Sequence, residues 1–299
     1  MDYKKIIKNQ ELRLKILRLM DFLPDKLMIK IQYRISTGKK LNLKNPTGFT
    51  EKIQWYKLYY RNDLLTKCSD KYAVREYVEQ KGLANILVPL YGVYEKAEDI
   101  NFDKLPNRFV LKTTNGSHTN ILCDDKQKLN KKETTQIINQ WIDKRSNKLG
   151  REWSYYDIKP KIICEKYLDK DTDNDLVDYK FFCFNGEPFY LYVITDRFST
   201  EGPQLGIFDM EFNKLPYKRP DIKDINKKIN KPKNFERMIE IAKTLSKDFP
   251  HVRVDLYNIN GHIYFGELTF YNGSGYKIYV PEKWNNIVGE KFELPNNLK

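Results

Sequence analysis

Cysteine and histidine are scarce in this 299-residue chain, which has four Cys (68, 123, 164, 183) and three His. The cysteines stand singly, with no CxxC pair, which argues against a disulfide framework and against a zinc site. Three scattered histidines argue against a His-rich metal centre. No stretch reaches the ~18 uncharged apolar residues of a membrane span. The opening MDYKKIIKNQ has neither the apolar core nor the small-residue cleavage site of a secretory leader, which predicts a cytoplasmic protein. Two phosphate-binding signatures are missing as well. There is no GxxxxGKS or GxxxxGKT, so no Walker loop, and no GxGxxG, so a dinucleotide fold has no support.

Aromatic residues, by contrast, are plentiful. With 21 Tyr, 16 Phe, 40% apolar and 31% charged residues, the composition belongs to a folded chain and excludes a disordered one. The length suits one large domain or two interlocked ones. Lys and Arg number 53 against 40 acids, a net charge of +13 that invites a nucleic-acid reading. Its distribution speaks against that reading, because residues 1–40 hold eleven Lys/Arg and four acids, more than half of the excess. In that segment Ile6, Ile7, Leu14, Leu17, Met20, Leu27, Met28 and Ile31 recur at helical spacing, broken at Phe22-Leu23-Pro24, which predicts two basic amphipathic helices. Such helices suit the inner face of an anionic membrane or an acidic polymer. They also suit packing of the apolar side on the main domain, with the lysines solvated.

Further on, a helix is predicted after Ser69 or Asp70, with Ala73, Val74, Tyr77 and Val78 inward, and a short strand near 87–93. Residues 108–112 read as a strand ending in the polar loop 113–118. A helix over about 132–147 precedes a strand at 161–168 and an acidic loop at 169–175. Asn185-Gly186 marks a hairpin, 201–233 reads as a surface excursion, and Asn234 is placed to cap a helix. Two strands about Asn260-Gly261 close the chain. No repeat period appears, and helices interspersed among antiparallel strands make an α+β pattern.

The last hairpin carries the sharpest chemical signal. Asp255 and Glu267 interrupt strands that are otherwise apolar or aromatic, and buried carboxylates need a cation or hydrogen bonds. A two-residue Asn-Gly turn would put them on opposite faces, since side chains alternate. A three-residue loop, Ile259-Asn260-Gly261, would put both on one face, where two hard oxygen ligands can hold Mg²⁺. A shared metal site thus requires the longer turn. Lys112 ends its strand at a loop of Asn, Gly and Ser, where an ammonium and backbone amides can meet phosphate, although a solvated strand end reads the same way. Glu165-Lys166-Tyr167-Leu168 leaves the core as an edge able to present backbone groups to a base, or as a plain strand exit.

In order, these pieces form a set: NPTGFTEKIQWYKLY, DKYAVREYV, LPNRFVLKTTNGS, EKYL at 165–168, DYKFFCFNGEP at 178–188, Asp196-Arg197 and FPHVRVDLYNINGHIYFGELTF. Their order and spacing, from about Asn45 to Leu294, resemble the ATP-grasp superfamily, and more closely its TupA-like branch, which is associated with bacterial surface polysaccharides. The resemblance implies two α+β subdomains clasping ATP; the N-terminal part, which reads as a helical extension, departs from the alternating strands and helices that usually precede them. The corresponding divisions are a basic helical segment over 1–44, a mainly helical part over 45–106, one subdomain over 107–168 and another over 169–299.

The resemblance also implies roles. Lys112 would contact the α and β phosphates, with Asn115, Gly116 and Ser117 in the loop closing over them. Glu165, Lys166, Tyr167 and Leu168 would line the adenine pocket, and Asp178 would sit near the ribose. Lys180 and Arg197 would face the γ-phosphate or an acyl phosphate. Asp255 and Glu267 would ligate Mg²⁺, with Thr269 standing where the superfamily usually has Asn and Asn272 nearby as another oxygen.

The activity so implied is an ATP-dependent carboxylate–amine ligase acting through an acyl phosphate. Its substrates would be a small amine or amino acid and a uronic-acid or peptidyl carboxylate, carried by an anionic glycan or sugar nucleotide in surface-polysaccharide biosynthesis. Phosphoryl transfer requires metal ions and Lys/Arg rather than a side-chain nucleophile, which fits a chain poor in His. Rival readings are a glycosyltransferase, for which Asp171-Thr172-Asp173 offers a DxD pattern, a sugar kinase, and a basic polymer-binding module without catalysis.

Overall fold

The structure is a computed structural model that describes residues 17, 19–116, 119–143, 149–169, 176–197 and 199–295. Ser117, the Asp171-Thr172-Asp173 pattern and the first N-terminal helix expected around Ile6, Ile7 and Leu14 lie outside the described residues.

Two antiparallel-rich sheets organise the chain. Strands β1 (Leu90–Tyr94), β2 (Phe109–Thr113), β3 (Asn120–Cys123) and β4 (Ile162–Lys166) form the first, in the order β1-β4-β2-β3. The second contains β5 (Asp178–Phe184), β6 (Glu187–Thr195), β7 (Gln204–Phe208), β8 (Lys223–Asp224), β9 (His251–Ile259) and β10 (His262–Thr269), in the order β10-β9-β5-β6-β7-β8. Seven α-helices among the described residues pack around them: α1 (Asp25–Thr37), α2 (Phe49–Tyr59), α3 (Asp63–Ser69), α4 (Val74–Gln80), α5 (Lys131–Asp143), α6 (Phe235–Ser246) and α7 (Lys283–Lys291). No helix of the described residues is long and apolar enough to cross a membrane.

The central strand β5 shows why this sequence makes this sheet. All seven of its residues are buried, because helices cover both of its faces. Side chains alternate along a strand. Phe181 meets Phe235 of α6 (ring centroids 5.9 Å apart), while Phe182 meets Phe49 of α2 (6.2 Å) and stacks on Tyr190 (4.3 Å). Helix α6 presents Phe235, Met238, Ile241, Ala242 and Leu245 to the sheet at helical spacing. Asp178 and Lys180 therefore belong to the same face as Phe182, the one that α6 does not cover.

Several expectations are corrected here. Residues 201–233 are not a mere surface excursion: β7 lies within the second sheet and buries Leu205, Ile207 and Phe208. Its apolar run is short, contains Gly206 and is bounded by Pro203 and Asp209, which hid the strand in the sequence. Asn234 does not cap α6, because it sits at φ 61° and its Nδ2 donates to the Gly261 carbonyl (2.8 Å). Leu27 does not face inward: α1 buries Met28, Ile29, Gln32 and Tyr33, and Leu27 is 46% exposed.

His251 sits fully buried at the start of β9, among the rings of Phe49, Phe184 and Phe292, with centroids at 5.2, 4.8 and 5.1 Å. Burial pushes its imidazole down to about 3, and the nearby Arg253 adds to that, against the opposing pull of its Nδ1 bond to the Cys183 carbonyl (2.9 Å). An unfolded chain takes up that proton near pH ~6.5, the folded one only near 3. The unfolded state thus binds more protons across this window, and stability falls as pH drops through it, by at most ~1.4 kcal/mol per pH unit. Urea midpoints measured from pH 7 to 4 should fall in the wild type, and His251→Phe should flatten that limb.

Candidate active site

The register of the second sheet assembles a polar face row by row. Lys180 pairs with Asp255, Asp178 with Tyr257 and Phe182 with Arg253 across β5 and β9. Thr269 pairs with Arg253 and Glu267 with Asp255 across β9 and β10. The last pairing departs from the expected geometry. The turn is the short one: Ile259 pairs with His262, and Asn260 (φ 54°) and Gly261 (φ 92°) both take the left-handed conformation of a two-residue hairpin loop. Such a turn alone would separate the carboxylates. A β-bulge between Phe265 and Glu267 restores the parity by inserting one residue, Gly266, into β10. A Cβ at Gly266 would stand 3.0 Å from the Asp255 carbonyl oxygen, which is why that position has no side chain. The three-residue loop is therefore replaced by a two-residue turn plus a bulge, with the same outcome for Asp255 and Glu267.

Arg253 ties this face together. Its guanidinium donates to both Asp255 oxygens (2.7 Å each), to Glu267 Oε1 (3.2 Å), to Thr269 Oγ1 (3.0 Å) and to Asn272 Oδ1 (2.8 Å). Lys180 Nζ lies 2.5 Å from Asp255 Oδ2 and 3.3 Å from Asp178 Oδ1, while Arg197 Nη1 lies 3.2 Å from Asp178 Oδ2. Burial works against the charge on Lys180, but Asp255 and Asp178 outweigh it and raise its pKa. Burial likewise opposes ionisation of Glu267, yet Lys71, Arg253 and Lys180 bring it down to about 2. The Glu267 side chain is still 41% exposed, so water reaches it.

A second cluster belongs to the first sheet. Lys112 on β2 and Glu165 on β4 form an ion pair at 2.6 Å, and Arg75 of α4 stands 3.7 Å from the other Glu165 oxygen. The carboxylate of Glu165 is thus committed to two cations. Lys166 is exposed, its backbone N–H donating to the Pro89 carbonyl (2.9 Å), and Tyr167 stacks under the Arg108 guanidinium at 4.2 Å. Leu168 is partly exposed where the chain leaves β4. In the loop after β2, Asn115 is buried, whereas a Cβ on Gly116 would meet no atom within 4 Å.

Lys71, between α3 and α4, joins the clusters. Its Nζ donates to the Gly116 carbonyl and its backbone N–H to the Thr114 carbonyl (3.3 Å). Burial lowers its pKa. Glu267 from the second sheet pulls the other way, and Lys112 from the first sheet pushes it down further. Helix α3 packs on β10, and Lys71, just after it, holds the loop after β2, so the Lys112 end of the first sheet lies beside the strand that carries Glu267. Lys71, Arg75 and Arg253 were not among the residues singled out from sequence. The period-two spacing of Arg253 to Asp255 could have flagged the last; the first two are brought in only by tertiary packing.

A family model for TupA-like ATP-grasp proteins matches residues 51–293, which include every one of these groups. The chain belongs to the TupA-like ATP-grasp family. Solved structures with similarity to it include D-alanine–D-alanine ligase from Bacillus anthracis (18% identity, TM-score 0.44, covering 74% of this chain and 63% of that one). D-Alanine–D-alanine ligase from Helicobacter pylori (14%, 0.41, 76% and 61%) and L-amino acid ligase from Bacillus licheniformis (15%, 0.41, 70% and 42%) are others. The chain thus spans between 42% and 63% of the length of these three proteins. No curated protein matches it.

Magnesium fits the donor set of this face. Asp255, Glu267, Thr269 and Asn272 offer only oxygens, and all four converge on one cation, Arg253. Two carboxylates leave room in an octahedral shell for phosphate oxygens and water. Among the described residues no group of three or more His, Cys, Asp or Glu could hold a metal ion by itself.

Two outcomes test the architecture. Arg253→Met removes the main counter-charge of buried Asp255 and should cost about 3 kcal/mol in urea unfolding, since breaking a buried pair strands a charge. Gly266→Val should destabilise by about 1–3 kcal/mol through the clash with the Asp255 backbone, and isothermal titration should show weakened Mg-nucleotide binding.

Proposed function

We propose that this protein is an ATP-dependent carboxylate–amine ligase that works on an anionic glycan or sugar-nucleotide carboxylate in surface-polysaccharide synthesis. The observation that carries the proposal is the placing of Asp255 and Glu267 side by side on the polar face of the second sheet, compensated by Lys180 and Arg253, with the Lys112–Glu165 pair on the first sheet. Family membership points the same way.

On this reading the triphosphate of ATP lies in the cleft between the sheets. Lys112 and the backbone of Asn115 and Gly116 take the α and β phosphates, and the chain at Lys166, Tyr167 and Leu168 reads the adenine edge. Asp178, held by Lys180 and Arg197, faces the ribose. Lys180, Arg197 and Arg253 surround the γ-phosphoryl group, where charge develops during transfer. Mg²⁺, when bound, neutralises charge on the phosphate oxygens; Asp255 and Glu267 would hold it, with Thr269 or Asn272 as the neutral oxygen.

A carboxylate oxygen of the acceptor attacks the γ-phosphorus and the bond to the β-phosphate oxygen breaks, giving an acyl phosphate and ADP. An unprotonated amine then attacks the acyl carbon, the C–O bond to phosphate breaks, and amide and inorganic phosphate leave, with the amine proton passing to solvent. Water would hydrolyse the acyl phosphate, so closure over the Asn115–Gly116 loop has a clear role.

Incubation with Mg-ATP, a uronate acceptor and a panel of amines tests the reading. ADP release should require both partners, fall at least ~100-fold in Glu267→Gln, and show a raised KM for ATP in Lys112→Met. Release indifferent to both partners, or tight binding of a sugar nucleotide in place of ATP, overturns it. A phosphorylated hydroxyl product would make the enzyme a kinase instead.

A further inference from the structure

Apart from the cleft, the most unusual surface lies along α1. Nine large hydrophobic residues are strongly exposed among the described residues, and four of them, Leu19, Phe22, Leu27 and Ile35, fall within residues 19–35. Phe22 is 83% exposed and Leu19 76%. They are not loosely held. One face of α1 is pinned, with Gln32 Nε2 donating to the Leu149 carbonyl (2.7 Å) and Tyr276 donating to Gln32 Oε1 (2.6 Å). Arg151 binds the Asp21 and Asp25 carboxylates at 3.1 and 3.2 Å. The buried face of Met28, Ile29, Gln32 and Tyr33 fixes the helix rotation, so Leu27 and Ile35 are directed away from it.

Beside this apolar stripe runs a basic one. Lys26, Lys30 and Arg34 recur every four residues and so share one side of α1, spanning ~12 Å. Lys40 and Lys44 face them across a trough of about 650 Å³ floored by Leu41, Leu43 and Tyr59. A cavity of about 370 Å³ between Lys30, Arg34, Lys40 and Leu41 continues it. The acids of residues 19–44 are Asp21 and Asp25 alone, and Arg151 engages both. None of these five cations makes an ion pair among the described residues. Their positive charge is therefore uncompensated and directed at one opening.

We propose that this face docks onto an anionic lipid bilayer, with headgroup phosphates in the Lys26/Lys30/Lys40/Lys44 trough and Phe22, Leu19 and Leu27 inserted at the acyl boundary. A soluble polyanion would satisfy the cations but leave the apolar side chains in water. A bilayer surface supplies negative charge and hydrocarbon side by side.

Vesicle co-sedimentation without nucleotide tests this independently of any ligase activity. The full chain should bind phosphatidylcholine vesicles containing about 30 mol % phosphatidylglycerol and not bind phosphatidylcholine alone. Raising NaCl from about 0.1 to 0.5 M should weaken binding at least tenfold. Lys26→Gln/Lys30→Gln/Lys40→Gln should abolish binding. Phe22→Ser, at a site that contributes nothing to the core, should lower it about tenfold with the lysines intact. Equal binding to neutral vesicles, or none to anionic ones, overturns the proposal. So does an unchanged Phe22→Ser affinity together with lysine-dependent capture of soluble polygalacturonate, which would reassign the trough to an anionic polymer.

Discussion

Charge placed on a water-poor sheet face must be matched by charge of the other sign, and that constraint shapes the second sheet. Asp178 and Asp255 are almost inaccessible, which isolated carboxylates cannot tolerate. Lys180 and Arg253 compensate them from neighbouring strands, and each cation reaches more than one acid. This network leaves the face strongly polarised and rigid before any ligand arrives. Positioned charges of this kind are what a phosphoryl-transfer site needs, since groups already in place need no reorganisation during reaction. The aromatic layers on both sides of β5 serve the same end by fixing the strand that carries Asp178 and Lys180.

The two clusters differ in character. The Lys112–Glu165 pair sits at an open rim, where Lys112 keeps 29% of its side-chain area in contact with solvent, whereas the Lys180–Asp255 pair lies deep in the structure. An exchangeable ligand can take over a rim cation at little cost, because that pair is already partly hydrated. Groups in the interior do not have that freedom and are better suited to hold a fixed arrangement. Lys71 lies between the two regimes and links the loop at Gly116 to both.

Much of this was readable in the chain itself. Asn185-Gly186 marked the hairpin that β5 and β6 form, and VRVDLY placed Asp255 in an apolar context. The NG dipeptides at 185–186 and 260–261 both form turns with positive φ. What escaped notice depended on distance in sequence or on local detail. A single Gly266 among strand formers does not announce a bulge, although the placement of Glu267 hinges on it. Strand β7 is five residues long and owes its burial to β6, a partner that its own composition cannot reveal. Leu27 has the spacing of an inward residue, but the hydrogen bonds of Gln32 with Leu149 and Tyr276 set α1 at a different rotation. Lys71 and Arg75 reach the cleft only because α3 and α4 pack beside the loop after β2.

The bulge in β10 acts as a parity device for the hairpin. Were the ladder to run on past Phe265 without it, the strands and the turn would be unchanged, yet Gly266 would pair with Asp255 and everything beyond would sit half a pleat away. Glu267 would then point toward α6, and Leu268 would take its place on the cleft. A register shift of one residue, with no change in composition or hydropathy, therefore separates a hairpin able to hold a divalent cation from one that folds alike and cannot.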